Sequence, residues 1–365
     1  MTKGKLSHVS SVLAASRGIA IFIAILWHVD ILLFRYYPNY VIHESTFKFL
    51  WPLPLPLFFF LTGVSFSQII QNNRVGLVAN AVGTYSYLYV VWLLVYHVFF
   101  FAVGHEDYES GPVAIIKRML LPAPELWFVA WLACCLALCT ATRRLPREIQ
   151  IGMALGVVVL IPSAGYKISN FALYNVLFVY LGIFQRETFI AFITARPGVI
   201  FAVCAPLYAV IAGVMVPSEP FAHPMLAILQ SALGMFAVAA GLRLIHETKI
   251  VEMLAWLGRK SFQIYISAPI WVNLDIMVLS RLYPAENHLS EHYMQAATVP
   301  LCIVVFGQAI LTIHLIGRRS WLLSPPASVL RPIEDAVGQL LARITIPSLD
   351  GARMVGRFSR QRPDA

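Results

Sequence analysis

Val12-Leu13-Ala14-Ala15-Ser16-Arg17-Gly18-Ile19-Ala20-Ile21-Phe22-Ile23-Ala24-Ile25-Leu26-Trp27-His28-Val29-Asp30-Ile31-Leu32-Leu33-Phe34 is the stretch whose reading decides the fold. As one helix it can cross the ~30 Å hydrocarbon core of a bilayer, yet it holds Arg17 and His28. A charged side chain at membrane depth costs roughly 2.5–3.5 kcal/mol on insertion scales, so such residues face a protein interior or a wet cavity and mark function. Their spacing is close to three helical turns. Arg17, Ile21, Ala24 and His28 therefore share one stripe, with Arg17 and His28 about 16 Å apart along the axis.

Working outward, the apolar pattern repeats. Of 365 residues 59% are hydrophobic and 12% charged, and the mean hydropathy of +0.74 excludes a soluble globule with an ordinary charged surface. Runs of spanning length fall at 12–34, 51–70, 81–103, 125–141, 148–162, 168–185, 197–216, 225–243, 261–280 and 294–316. These predict an all-α integral membrane protein of about ten transmembrane helices. The turn Ser163 to Lys167 is brief, so eight or nine spans are the alternative counts. With both termini in the cytoplasm, that side receives twenty of the 27 Lys and Arg, and the outer side only Arg35, Lys48, Lys117, Arg118, Lys167 and Arg281.

The net charge of +9 is thus a topology signal plus a basic tail rather than a nucleic-acid footprint. The cysteines Cys134, Cys135, Cys139, Cys204 and Cys302 all fall in predicted spans without paired metal-ligand spacing, and read as packing residues. No metal site is expected. The first apolar run is too long for a signal-peptide core.

Trp51-Pro52-Leu53-Pro54-Leu55-Pro56 predicts an extended arm that coils near Pro56. Tyr85, Tyr89, Trp92 and Tyr96 form a stripe read as packing and interface anchoring. Val113 to Leu120 reads as a short interfacial helix. A transmembrane domain over 1–320 is followed by a cytoplasmic segment, 321–365. Within it Ile333, Ala336, Val337, Leu340, Leu341 and Ile344 recur at helical spacing after Pro332, predicting an amphipathic helix on the cytoplasmic leaflet. The arginine-bearing tail from Pro347 reads as disordered and drawn to anionic lipid.

Four passages resemble the membrane-bound acyltransferase type 3 superfamily, bacterial multi-pass proteins that O-acylate cell-surface glycans. Arg17-Gly18-Ile19-Ala20 through Leu26-Trp27-His28 is similar to that family's first-helix signature. Pro56-Leu57-Phe58-Phe59-Phe60-Leu61-Thr62-Gly63-Val64 resembles its aromatic second helix. Leu126-Trp127-Phe128 and Leu257-Gly258-Arg259-Lys260-Ser261-Phe262-Gln263-Ile264-Tyr265 resemble its fourth and ninth. The chain departs from the family in two places. Ala268 stands where a histidine is common, and Asn80 to Tyr85 lack the usual third-helix arginines. Only Arg74 lies nearby, so a donor's phosphates need other cations.

The resemblance implies a bacterial inner-membrane enzyme that moves an acyl group, most often acetyl, from cytoplasmic acyl-CoA to a hydroxyl of an exopolysaccharide, lipopolysaccharide or other envelope glycan. Its partners would be acyl-CoA, a glycan or lipid-linked glycan acceptor, membrane lipid and polysaccharide-assembly proteins, with no nucleic acid. His28, an imidazole in an apolar helix, is the expected general base, with an acyl-histidine relay as its competing role. Arg17 suits a phosphate or a thioester carbonyl, and Arg74 a phosphate. Support is expected from Arg35, Glu125, Trp127, Ser261, Tyr265 and Asp275, the last as a partner of Arg17, Arg35 or His28, with interfacial anchoring the alternative for Arg35 and solvation that for Glu125 and Asp275. Asp30, two residues from His28, points elsewhere. The alternatives are a glycolipid or small-metabolite transporter or flippase, and a non-catalytic family member.

Overall fold

Within hydrocarbon a backbone must close its hydrogen bonds inside its own segment, which long apolar runs achieve as helices. The computed structural model describes residues 3–37, 49–104, 113, 115–116, 126–163, 170–214, 224–283, 288–317 and 321–344, and all regular structure among them is helical. In chain order the helices are α1 (Lys3–Tyr36), α2 (Pro54–Gln71), α3 (Val75–Ala102), α4 (Trp127–Ala141), α5 (Arg147–Ser163), α6 (Asn170–Phe184) and α7 (Arg186–Ala195). They continue with α8 (Pro197–Val214), α9 (Pro224–Leu244), α10 (Lys249–Arg259), α11 (Ser261–Leu282), α12 (His288–Ile316) and α13 (Ala327–Arg343).

Seven of these, α1, α2, α3, α8, α9, α11 and α12, are long and apolar enough to cross a membrane. The pair α6 and α7, bent by 75°, makes an eighth if it is one span. The protein is a multi-pass, all-helical membrane protein. The predicted segments 125–141, 148–162 and 168–185 are helical as α4, α5 and α6, and the apolar α4, at 15 residues, is shorter than the spanning length.

α1 is the spine, packed against α10, α11, α2, α12 and α9. Van der Waals contact must hold helices together where lipid is as apolar as the protein, so small residues mark close approaches. A Cβ on Gly258 would lie 1.7 Å from the Ala14 carbonyl oxygen, and one on Gly18 2.1 Å from that of Leu254. α10 therefore lies on the first half of α1 with no room to spare. α2 and α6 meet in the same way, because a Cβ on Gly63 would be 2.2 Å from the Val179 carbonyl oxygen.

Two sequence expectations change. α2 starts at Pro54, with proline in the first turn, where its missing N–H leaves no bond unmade. Only residues 51–53 precede it, as a turn in which the Leu53 amide donates to the Leu50 carbonyl at 3.2 Å, rather than an extended arm. The turn is pinned from outside. Ser231 Oγ donates to the Pro52 carbonyl at 2.6 Å and shares a 2.7 Å hydrogen bond with Tyr174, while Tyr208 donates to the Phe49 carbonyl.

The second change concerns α13, which packs along α3. Asn80 Nδ2 donates to Glu334 Oε2 at 3.2 Å, and the indole of Trp92 to the Leu322 carbonyl at 2.7 Å. Leu341 is buried and Val337 packs on the core, whereas Leu340 and Ile344 stay exposed. Half of the stripe expected to face lipid is thus in protein contact. The expected interfacial helix over 113–120 lies mostly outside the described residues, as does the basic tail.

Candidate functional site

Arg17 lies in the half of α1 that α10 covers, and its guanidinium reaches across to α2. One terminal nitrogen donates to the Leu61 carbonyl at 2.9 Å and to Ser65 Oγ, whose hydroxyl donates to the same carbonyl at 2.9 Å. An arginine tied to backbone in this way is held in place rather than stretched out to the interface. It opens onto a cavity of about 550 Å³ between α1, α2, α7 and α10, at the end of the bundle where α1 begins.

Two further guanidiniums line this cavity, Arg186 and Arg259, together with Ser10, Ser65, Gln68 and Glu187. Arg186 is the first residue of α7 and Arg259 the last of α10. The sharp bend between α6 and α7 and the glycine contact between α1 and α10 bring them beside Arg17. Arg186 pairs with Glu187, leaving a net charge of about +2 from three arginines and one glutamate. Guanidinium forks match phosphate oxygens in geometry and charge.

His28 faces a second, smaller cavity of about 60 Å³, walled by Ala24, Trp27, Trp51, Pro54, Leu55, Trp127 and Tyr265. The Tyr265 ring lies edge-on to the imidazole at a centroid distance of 6.2 Å and rests against Phe128 at 4.8 Å. Phe128 is itself wedged against Phe58 and Phe59 at 4.9 and 5.1 Å. This aromatic stack fixes the wall opposite His28. The imidazole borders this cavity, where a guest hydroxyl would meet it.

The expected site residues divide accordingly. Arg17 sits at one cavity, and His28, Trp127 and Tyr265 at the other. Ser261 is buried one turn below Tyr265 and lines neither. Arg74 is exposed in the turn between α2 and α3, apart from the residues that line the Arg17 cavity. Arg35 is exposed near the far end of α1. Asp275 accepts a 3.0 Å hydrogen bond from Gln308 of α12, in place of the expected arginine or histidine partner. Ala268 is buried in α11, and Glu125 lies outside the described residues.

Sequence reasoning missed Arg186, Arg259, Trp27 and Trp51 as site residues, although the last three stand in quoted passages. No group of three or more His, Cys, Asp or Glu able to hold a metal occurs among the described residues. Compared with protein-family models, with curated proteins and with solved structures, the chain gives no match.

Proposed function

We propose that this protein is a membrane O-acyltransferase that moves an acyl group, most simply acetyl, from acyl-CoA to a hydroxyl of an envelope glycan, as its resemblance to the type 3 superfamily implies. The observation that carries the reading is the placement of two unlike cavities along one face of α1: a wide one with three guanidiniums, and a small one with an imidazole open to a guest. The proposed topology has ten spans, both termini in the cytoplasm, and the bacterial inner membrane as location.

In this reading Arg17, Arg186 and Arg259 hold the donor's phosphates from the cytoplasmic side, supplying the cations that the third helix lacks. The extended pantetheine arm covers the ~16 Å along α1 to His28. His28 takes the proton of the acceptor hydroxyl as its oxygen bonds to the thioester carbonyl carbon. The carbon–sulfur bond breaks, and the imidazolium returns its proton to the departing thiolate. Tyr265 and Trp127 pack around the reacting group, with little water beside it.

The test is transfer of label from radiolabelled acetyl-CoA to host envelope glycans by membranes holding matched amounts of wild type, His28→Ala and Arg17→Ala. Transfer by the wild type alone supports the reading. Transfer by the wild type no greater than that of membranes without the protein removes it and favours transport, and equal transfer by all three removes the roles given to His28 and Arg17.

A further inference from the structure

Resting on that acyltransferase reading, we infer that the His28 cavity is a gauge for acyl length that admits a two-carbon acyl group and rejects longer ones, with Trp51 as its end wall. The cavity volume is about 60 Å³. At a share of about 30 Å³ for each water-sized guest, it accepts about two such groups. The acyl part of an acetyl thioester is one methyl and one carbonyl, about two groups of that size. A butyryl group adds two more carbons, beyond what the space accepts.

A gauge also needs walls that do not yield. Trp51 is 8% exposed and stands on the short turn ahead of α2, between Leu50 and Pro52. That turn is fastened by the hydrogen bond from Ser231, which Tyr174 braces in turn, and by the bond from Tyr208 to Phe49. Across the cavity Tyr265 is backed by Phe128. A longer acyl chain would have to displace an indole whose backbone is tied to α8 and α9. Rejection follows from packing, since cores resist overfilling by even one methylene.

The measurement is a competition. Membranes of the expressing host, whose own glycans serve as acceptor, receive equal amounts of acetyl-CoA and butyryl-CoA, each with a distinct label. The ratio of acetyl to butyryl ester on glycan is independent of how much protein is present. For the wild type this ratio is expected at ten or more, since each misfitting methylene changes kcat/KM by about 10–200-fold. Trp51→Ala is expected to lower it at least fivefold, and Trp51→Phe to fall between. A wild-type ratio near one, or a preference unchanged in both variants, overturns the gauge while leaving the acyltransferase reading in place. Absence of both esters in the wild type overturns the gauge and the acyltransferase reading together.

Discussion

The Arg17 cavity holds about 550 Å³ and three guanidiniums, whereas the His28 cavity holds about 60 Å³ and one imidazole among three indoles, although both open on the same helix. The first is made where helix ends converge and side chains reach long distances. The second is made where aromatic rings fill all but a few atoms of space. A wide, charged opening grips many anions by attraction that falls off slowly with misplacement. A narrow apolar one discriminates by contact. The difference teaches that one α1 face can divide affinity from selectivity, and variants should separate the two.

The largest effect is expected at the narrow end. His28→Ala should lower kcat for acyl transfer by about 10²–10⁴-fold, the usual contribution of a positioned base, with the KM for acyl-CoA nearly unchanged. A rise in KM with kcat intact would mean that His28 belongs to binding. Next is Gly258→Ala, which places a methyl against the Ala14 carbonyl and pushes α10 away from α1. Overpacking of this kind costs about 1–3 kcal/mol. It should appear as a lower Tm in detergent and a higher donor KM, because Arg259 moves with α10.

At the wide end the effects are smaller and sensitive to salt. Arg259→Ala should raise the KM for acyl-CoA by about tenfold, equivalent to about 1.4 kcal/mol, with the difference from wild type shrinking at high ionic strength. Smallest of all, Glu187→Gln removes the one carboxylate that faces that cavity among the described residues and releases Arg186 from its pair. The donor KM should fall by about two- to threefold. A rise instead would show that the Arg186–Glu187 pair positions the guanidinium.

The parts legible in sequence are those that a single helix displays by itself. Arg17 and His28 stand out because each interrupts an apolar run, and helical spacing alone puts them on one stripe. Tyr265 and Trp127 were reachable through the passages that carry the family resemblance. Arg186 counts in the sequence only as evidence of sidedness, and Arg259 only for that and as part of a family-like passage, because loop cations all look alike until chain folding gathers some of them. Their convergence needs a 75° bend after α6 and a helix contact permitted by Gly18 and Gly258. The α13 pattern was readable as amphipathic, but an apolar stripe fits a lipid surface and a neighbouring helix equally well. The Asn80–Glu334 bond and the packing of Val337 and Leu341 distinguish them. Asp275 has a similar lesson, since its amide partner sits on another helix at Gln308.

The contact of α3 with α13 and with the turn ahead of it also bears on how the chain is made. Asn80 and Glu334 are 254 residues apart, and Trp92 and Leu322 are 230 apart. A ribosome delivers α3 to the membrane long before it reaches α13. During that interval the indole of Trp92 lacks its carbonyl partner, at a cost of about 1–3 kcal/mol if no water reaches it. Insertion and closure are therefore separate events in biogenesis. Between them the α3 strip at Ala79 and Gly83 lacks Leu330, Ile333 and Gly338, which cover it in the finished fold.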